Sequence, residues 1–324
     1  MTSGAPAGLA VNQRARATSA GVAFAAGTVV AVQSRINGAL GTALGDGVQA
    51  ATISFALGLL VLVAIVAARS DARMAFAGLR SQVRGGRLPW WTLLGGLAGA
   101  AYVSAQSVTV AALGVALFTV STVAGQTGMS LVVDRAGIGP GGVVHVTAVR
   151  VVAAVLATVA VAVAAGSRGW SGDVALGYVG MALVAGAAVA FQAAFNGRVS
   201  VATGQPTVAA LVNFVVGLSA LLVVMALLLS VGGKQWGAPP SIGSHGWLYL
   251  GGPLGVVFVV SAAWSVRALG VLLFSLVVIA GQLCGALLLD VFAPTVGSDV
   301  GTGLLVGVAL TASAVGLAAL PRRL

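Results

Sequence analysis

The chain has 324 residues, of which 59% are hydrophobic and only 7% are charged. A water-soluble domain of this composition would lack the polar surface that keeps it in solution, so we expect a protein embedded in a membrane. The formal net charge is +10, but the basic residues lie between apolar runs and form no basic face of a soluble fold, so we expect no nucleic-acid partner.

Ten apolar stretches of about 20 residues follow one another along the chain, and this is the helix length that crosses a hydrocarbon core of about 30 Å. None alternates with period 2, which argues against the strands of a membrane barrel. We therefore predict an all-α polytopic membrane protein with ten transmembrane helices. The predicted spans are 19–37, 48–68, 91–111, 115–134, 143–165, 174–196, 207–231, 247–267, 271–290 and 301–320.

The arginines predict the orientation of these spans. With a cytoplasmic N-terminus, twelve arginines fall on the cytoplasmic side, and only Arg35, Arg168 and Lys234 fall on the other. Ten spans then return the C-terminus to the cytoplasm. We expect the arginine-rich loop 69–87 to set this topology and to contact anionic lipids.

The sequence also repeats itself. At an offset of 159 residues, Gln33, Asn37 and Gly38 match Gln192, Asn196 and Gly197, and Phe55 and Gly58 match Phe214 and Gly217. At an offset of 156, residues 112–115 match 268–271, and Gly125, Gln126 and Asp134 match Gly281, Gln282 and Asp290. We predict a cytoplasmic tail (1–18), a first five-helix repeat (19–165), a connecting loop (166–173), a second five-helix repeat (174–320) and a cytoplasmic C-terminus (321–324).

Five is an odd number of crossings, so the two repeats must enter the membrane from opposite sides. The charges agree, because loop 69–87 carries five arginines whereas the equivalent loop 232–246 carries only Lys234. Two inverted repeats of similar shape can exchange conformations around a central site. That symmetry is typical of transporters that work by alternating access.

These paired motifs resemble the YdcZ-type inner-membrane exporters of the drug/metabolite transporter superfamily. The resemblance extends over nearly the whole chain as two fused copies of a five-helix unit. It implies a bacterial cytoplasmic-membrane transporter with ten helices and an export function, and it implies no particular substrate.

Six amides are candidate substrate-binding residues. Residues four apart share a helix face, and neutral amides offer donors and acceptors to a polar solute without a buried charge. An alternative for Gln126 and Gln282 is interhelical hydrogen bonding, and an alternative for Asn37 and Asn196 is a helix C-cap beside glycine. The candidates are Gln33, Asn37, Gln126, Gln192, Asn196 and Gln282.

Asp134 and Asp290 are the acids that recur at equivalent positions next to apolar spans. The predicted topology places Asp134 at the cytoplasmic end of its span and Asp290 at the outer end. They are candidate gating or coupling residues that pair with Arg135, Arg150 or an amide. The alternative is an interfacial aspartate that only ties a loop.

The function that these features favour is secondary transport, with export of a small polar or amphipathic metabolite or drug. The alternative is a lipid-handling or scaffold protein with the same helices. Six scattered aspartates and no glutamate leave little from which to build a metal cluster, so we expect no enzyme activity, no metal and no cofactor. We expect a monomer or a homodimer.

Overall fold

Long helices make up the structure, which is a computed structural model. It describes residues 7–143, 145–166, 173–232, 236–295 and 298–318. Within these ranges every regular element is helical, which confirms the predicted all-α class. The helices are α1 (Ala7–Leu44), α2 (Gly47–Ala68), α3 (Ser70–Arg84), α4 (Gly95–Arg135), α5 (Ala148–Gly166), α6 (Asp173–Thr203), α7 (Pro206–Gly232), α8 (Ile242–His245), α9 (Gly251–Phe292) and α10 (Thr302–Ala318).

Several of these helices could cross a membrane by length and composition. Among the described residues six segments qualify, and shorter apolar helices lie at Leu276–Phe292 and Thr302–Leu317. The structure therefore confirms apolar helices of membrane-spanning length, while the number of crossings stays a prediction. The six segments are Ala17–Leu44, Gly47–Ala68, Trp90–Arg135, Ala148–Gly166, Leu176–Thr203 and Pro206–Val231. Of the predicted segments outside the repeats, 321–324 and most of the loop 166–173 lie outside the described residues.

The turns that follow α1 and α6 have the same geometry. Gly45 has a φ of 65° and Gly204 has a φ of 66°, the left-handed conformation that commonly ends a helix and favours glycine. The two glycines are 159 residues apart, the offset at which the sequence repeats. The sequence repeat is therefore also a repeat in backbone conformation.

Helix α4 is interrupted at Gly114, which has a φ of 73° and a ψ of 166°. Only glycine adopts this backbone conformation readily. The break falls between the predicted spans 91–111 and 115–134. The predicted span 271–290 and most of the predicted span 247–267 likewise lie in one helix, α9.

The polar helix α3 packs on the bundle through one face. Ala72 is fully buried, and Leu79 and Val83 pack against Leu88 and Val199. Residues three to four apart share a helix face, so this apolar row holds α3 against α6 and α7.

Asp71 ties the start of α3 to its neighbours. Arg69 Nη2 donates to Asp71 Oδ2 at 2.6 Å, and Gln205 Nε2 donates to the same oxygen at 3.1 Å. The hydrogen bond from Arg69 lowers the pKa of Asp71 to about 2. The carboxylate thus joins α3 to the turn between α6 and α7.

The two copies pack into each other. Helix α1 packs most extensively on α9 and α4 on α6, while α2 packs on α7 and α5 on α10. Exchanging α1, α2, α4 and α5 for α6, α7, α9 and α10 leaves this set of pairs unchanged. An approximate two-fold rotation therefore relates the copies.

Close backbone contacts obey the same symmetry. A Cβ added to Gly96 would lie 2.5 Å from the backbone nitrogen of Gly217, and one added to Gly252 would lie 2.6 Å from that of Gly58. These are too short for real contacts, so glycine is required at both places for the helices to approach. Gly252 follows Gly96 by 156 residues and Gly217 follows Gly58 by 159, so the two contacts are equivalent.

Candidate functional site

A buried network of polar side chains joins α1, α2 and α4. Asn37 is 0% exposed; its Nδ2 donates to Gln106 Oε1 at 2.7 Å, and Ser54 Oγ donates to its Oδ1 at 3.1 Å. Gln106 Nε2 in turn donates to Ser34 Oγ at 2.5 Å. Because the Asn37 and Gln106 amides pair with each other and with hydroxyls, the network offsets the cost of burying polar groups among apolar helices.

The equivalent place in the second copy holds a shorter network. Gln192 Nε2 donates to Asn213 Oδ1 at 3.2 Å, and Asn213 Nδ2 donates to Asn196 Oδ1 at 3.2 Å. Asn213 is buried, whereas Gln192 and Asn196 are partly exposed. The two networks share the repeated Gln and Asn positions but differ in their partners and in their exposure.

The interpretation of Asn37 and Asn196 as helix C-caps is wrong. Helix α1 continues through Asn37 to Leu44, and α6 continues through Asn196 to Thr203. The asparagines interrupt the apolar runs without ending the helices, because each finds a hydrogen-bond partner on a neighbouring helix.

Three candidate amides have no hydrogen-bond partner for their side chains within the described part of the chain. Gln33, Gln126 and Gln282 are partly exposed, and among the described residues none of their side chains has a hydrogen-bond partner. Gln33 lies against α9, where a Cβ added to Gly255 would lie 3.0 Å from its Nε2. Interhelical hydrogen bonding therefore does not account for Gln126 and Gln282 in this conformation.

Asp290 contacts the break in α4. Its Oδ1 accepts the backbone N–H of Val115 at 2.9 Å, and its Oδ2 accepts that of Ala116 at 2.7 Å. The side chain is 3% exposed. These N–H groups begin the second half of α4, so the carboxylate of one copy is the N-terminal cap of a half-helix in the other.

Asp134 has a different partner. Arg150 Nη2 of α5 lies 2.5 Å from Asp134 Oδ2, and both side chains are about a quarter exposed (26% and 28%). The pair joins the end of α4 to the beginning of α5 within one copy. The two equivalent aspartates thus make different contacts.

A family model described as "Putative inner membrane exporter, YdcZ" matches residues 19–163 and, separately, residues 177–317. The chain belongs to this family. The resemblance seen in the paired motifs is thereby confirmed, including the presence of two copies. The comparison with curated proteins gives no match.

Membership of the YdcZ family and the apolar helices make the chain a multi-pass inner-membrane protein. Each matched range covers one set of packed helices, α1 to α5 and α6 to α10. The family is described by export and is not an enzyme class, so at this coarse level its membership supports transport.

Two polar residues of the YdcZ-type copies could not be found by comparing the sequence with itself. Gln106 aligns with Ala262 at the offset of 156, and Asn213 aligns with Ser54 at the offset of 159. Neither is repeated as the same residue, although both bond the repeated asparagines. The available signal is that each is an amide inside a long apolar run, where an unpaired amide is costly.

Proposed function

We propose that the chain is a secondary transporter that exports a small polar or amphipathic metabolite or drug by alternating access between two inverted five-helix repeats. The observation that carries the proposal is that the first helix of each copy packs on the long helix of the other copy: α1 lies on α9 and α6 lies on α4. Two similar units held by equivalent contacts can reach a second conformation by exchanging their roles.

The lengths of α4 and α9 support ten crossings. At 1.5 Å per residue, the 41 residues of α4 would extend about 60 Å, roughly twice the thickness of the hydrocarbon core. The break at Gly114 divides them into segments that are each long enough to cross once. Counting α4 and α9 twice, with α1, α2, α5, α6, α7 and α10 once, makes ten crossings and five for each copy.

The exposed arginines support cytoplasmic N- and C-termini in the bacterial cytoplasmic membrane. Arg73, Arg80 and Arg84 of α3 are exposed, as expected for a helix on the positively charged side of the protein. Five crossings for each copy then place the two copies in opposite orientations.

Substrate contact is assigned to the amides that have no hydrogen-bond partner among the residues that the structure describes. Gln33, Gln126 and Gln282 can each donate and accept without breaking a hydrogen bond seen within the described residues. Gln192 and Asn196 are partly exposed and can join them if they release Asn213. Asn37 is fully buried and paired, and we assign it to helix packing in this conformation.

The test begins with the purified protein and a panel of metabolites, amino acids and drugs. A compound that raises the melting temperature identifies a chemical class, and flux of that class is then measured in liposomes. Protein-dependent flux is the expected result. No flux of any compound that binds would contradict transport and favour the lipid-handling or scaffold alternative.

Variants separate binding from stability. Gln126→Ala and Gln282→Ala are expected to weaken binding of the stabilising compound while leaving the melting temperature of the free protein nearly unchanged. Gln106→Ala is the matched control: it removes a buried, paired amide and should cost about 1–3 kcal/mol of stability. The reverse ranking would assign Gln126 and Gln282 to helix packing and remove them from the site.

A further inference from the structure

The contact between Asp290 and α4 links the two copies at one end of the bundle. Both carboxylate oxygens are used on consecutive backbone N–H groups, those of Val115 and Ala116. Gly114 makes this possible, because its conformation turns the chain so that the second half of α4 begins with free N–H groups facing α9. A Cβ at Gly114 would lie 2.9 Å from Asp290 Oδ2, so no larger residue fits beneath the carboxylate.

The sequence repeat places an equivalent aspartate and an equivalent glycine at the opposite end of the bundle. Asp134 is equivalent to Asp290, and Gly270 and Val271 are equivalent to Gly114 and Val115. The contact equivalent to the Asp290 cap would therefore join Asp134 to the backbone N–H groups of residues 271 and 272. In this structure Asp134 instead binds Arg150.

Arg150 makes the two ends unequal. It lies near the start of α5, whereas α10, the corresponding helix of the second copy, contains no Arg or Lys between Thr302 and Ala318. Asp134 thus has a cationic partner on α5 that competes with the backbone of α9. Both the Arg150 pair and a carboxylate cap on backbone N–H groups are charge-assisted, so the two partners of Asp134 are of comparable strength.

We propose that Asp290 and Asp134 are alternating caps of the two gates, that the Asp290 cap is formed and the Asp134 cap is broken in this conformation, and that Arg150 holds Asp134 away from α9. This inference rests on the proposed alternating access. In the opposite conformation Asp134 leaves Arg150 and caps α9 after Gly270, while Asp290 releases α4. With the orientation proposed above, the conformation described is closed at its outer end.

The same contacts explain how one end of the bundle is closed and what must happen when it opens. A carboxylate on both N–H groups holds the break in the middle of α4 against the end of α9, so substrate cannot pass there while the cap is formed. Releasing it leaves a carboxylate and two N–H groups to find new partners, which is unfavourable unless water enters. Opening of one end therefore accompanies its hydration, and formation of the other cap compensates for part of the loss.

Hydrogen exchange of the whole protein in lipid nanodiscs tests the proposal. The backbone amides of residues 115 and 116 report the Asp290 cap, and those of residues 271 and 272 report the Asp134 cap. In the unaltered protein the first pair should exchange more slowly than the second. Arg150→Gln should move both in opposite directions, with about tenfold faster exchange at 115–116 and about tenfold slower exchange at 271–272.

Matched variants distinguish an alternation of the two caps from a merely structural role of the aspartates. Arg135→Gln removes the exposed arginine next to Asp134 and should change neither segment, and Arg150→Lys should restore the pattern of the unaltered protein. Asp134→Asn should keep 115–116 protected. Asp290→Asn should expose 115–116 and protect 271–272; exposure of 115–116 without protection of 271–272 would reduce Asp290 to a static cap and overturn the proposal.

Failure of the inference and failure of transport have different signatures. Reciprocal protection without flux of any compound would leave the alternating caps in place and contradict the transport function. Flux with no change in protection on Arg150→Gln would leave the transporter in place and contradict the caps. Size-exclusion elution and melting temperature of each variant verify that it is folded before either comparison is made.

Discussion

Phe55 and Phe214 are equivalent residues of the two copies, and their rings pack together with centroids 4.9 Å apart. Each ring also covers a glycine of the other copy: a Cβ on Gly217 would collide with Phe55, and a Cβ on Gly58 would collide with Phe214. Equivalent residues meet in this way only near the axis that relates the copies. Helices α2 and α7 therefore cross on that axis.

The first prediction concerns these glycines. Gly58→Ala should lower stability by about 1–3 kcal/mol, because the added methyl group overpacks the contact with Phe214. Gly180→Ala is the control, since an added Cβ there meets nothing within 4 Å and alanine favours a helix. Thermal unfolding in detergent measures both. Phe214→Leu should recover part of the loss in the Gly58→Ala background, and equal effects of the two alanines would contradict the prediction.

The sequence predicts the helices and the copies because both depend on local patterns. Apolar runs mark the helices, and offsets of 159 and 156 mark the equivalent residues. The first helix extends beyond residue 37, where the predicted first span ends and where Asn37 and Gly38 resemble a helix end. The helix continues to Leu44 because Gln106, far away in sequence, bonds Asn37 inside the bundle.

The contacts of the aspartates could be predicted only in part. Their repetition indicates a shared role, and Arg150 is a visible candidate partner. The Asp290 cap joins residues 175 positions apart and ends on a backbone N–H, a group that every residue but proline carries. Such a contact has no signature in residue type, although Gly114 marks a place where the backbone can turn.

The second prediction concerns lipid contact by α3. Arg73, Arg80 and Arg84 are seven and four residues apart, so they share one exposed face of the helix, near the exposed Phe76. Phosphatidylglycerol in vesicles should therefore raise the melting temperature, with each arginine contributing about 1 kcal/mol to lipid binding. Replacing all three by glutamine should abolish the increase. Replacement by lysine keeps the charge and should preserve it, and an increase that survives the glutamines would place the lipid elsewhere.

The third prediction concerns acid. Arg69 holds the pKa of Asp71 at about 2, below the usual value of about 3.9, so this carboxylate stabilises the attachment of α3 above about pH 4. That contribution should be lost as the pH falls from 4 towards 2. Because the pair is exposed, the change should be local and small. Cleavage of segment 69–88 by pepsin, relative to other sites in the chain, should increase over this range in the unaltered protein. In Asp71→Asn, cleavage of this segment should be the same at pH 4 and at pH 2. An increase in the variant that matches the one in the unaltered protein would assign the effect to another group.

The fourth prediction concerns the break in α4. Gly114→Ala should be among the most destabilising glycine replacements, because it combines a backbone conformation that alanine avoids with a Cβ 2.9 Å from Asp290 Oδ2 and 3.1 Å from Ser298 Cα. Gly45→Ala is the control: its φ is also positive, at 65°, but an added Cβ there meets nothing within 4 Å, so only the cost of the left-handed conformation, about 1–2 kcal/mol, applies. Melting temperatures in detergent compare the two. If the cap is the main contact, Asp290→Ala should lower the melting temperature less in the Gly114→Ala background than in the unaltered protein. The reason is that the alanine at position 114 has already displaced the carboxylate. Equal losses for Gly114→Ala and Gly45→Ala would mean that the surroundings of Gly114 relax freely and that the Asp290 cap contributes little.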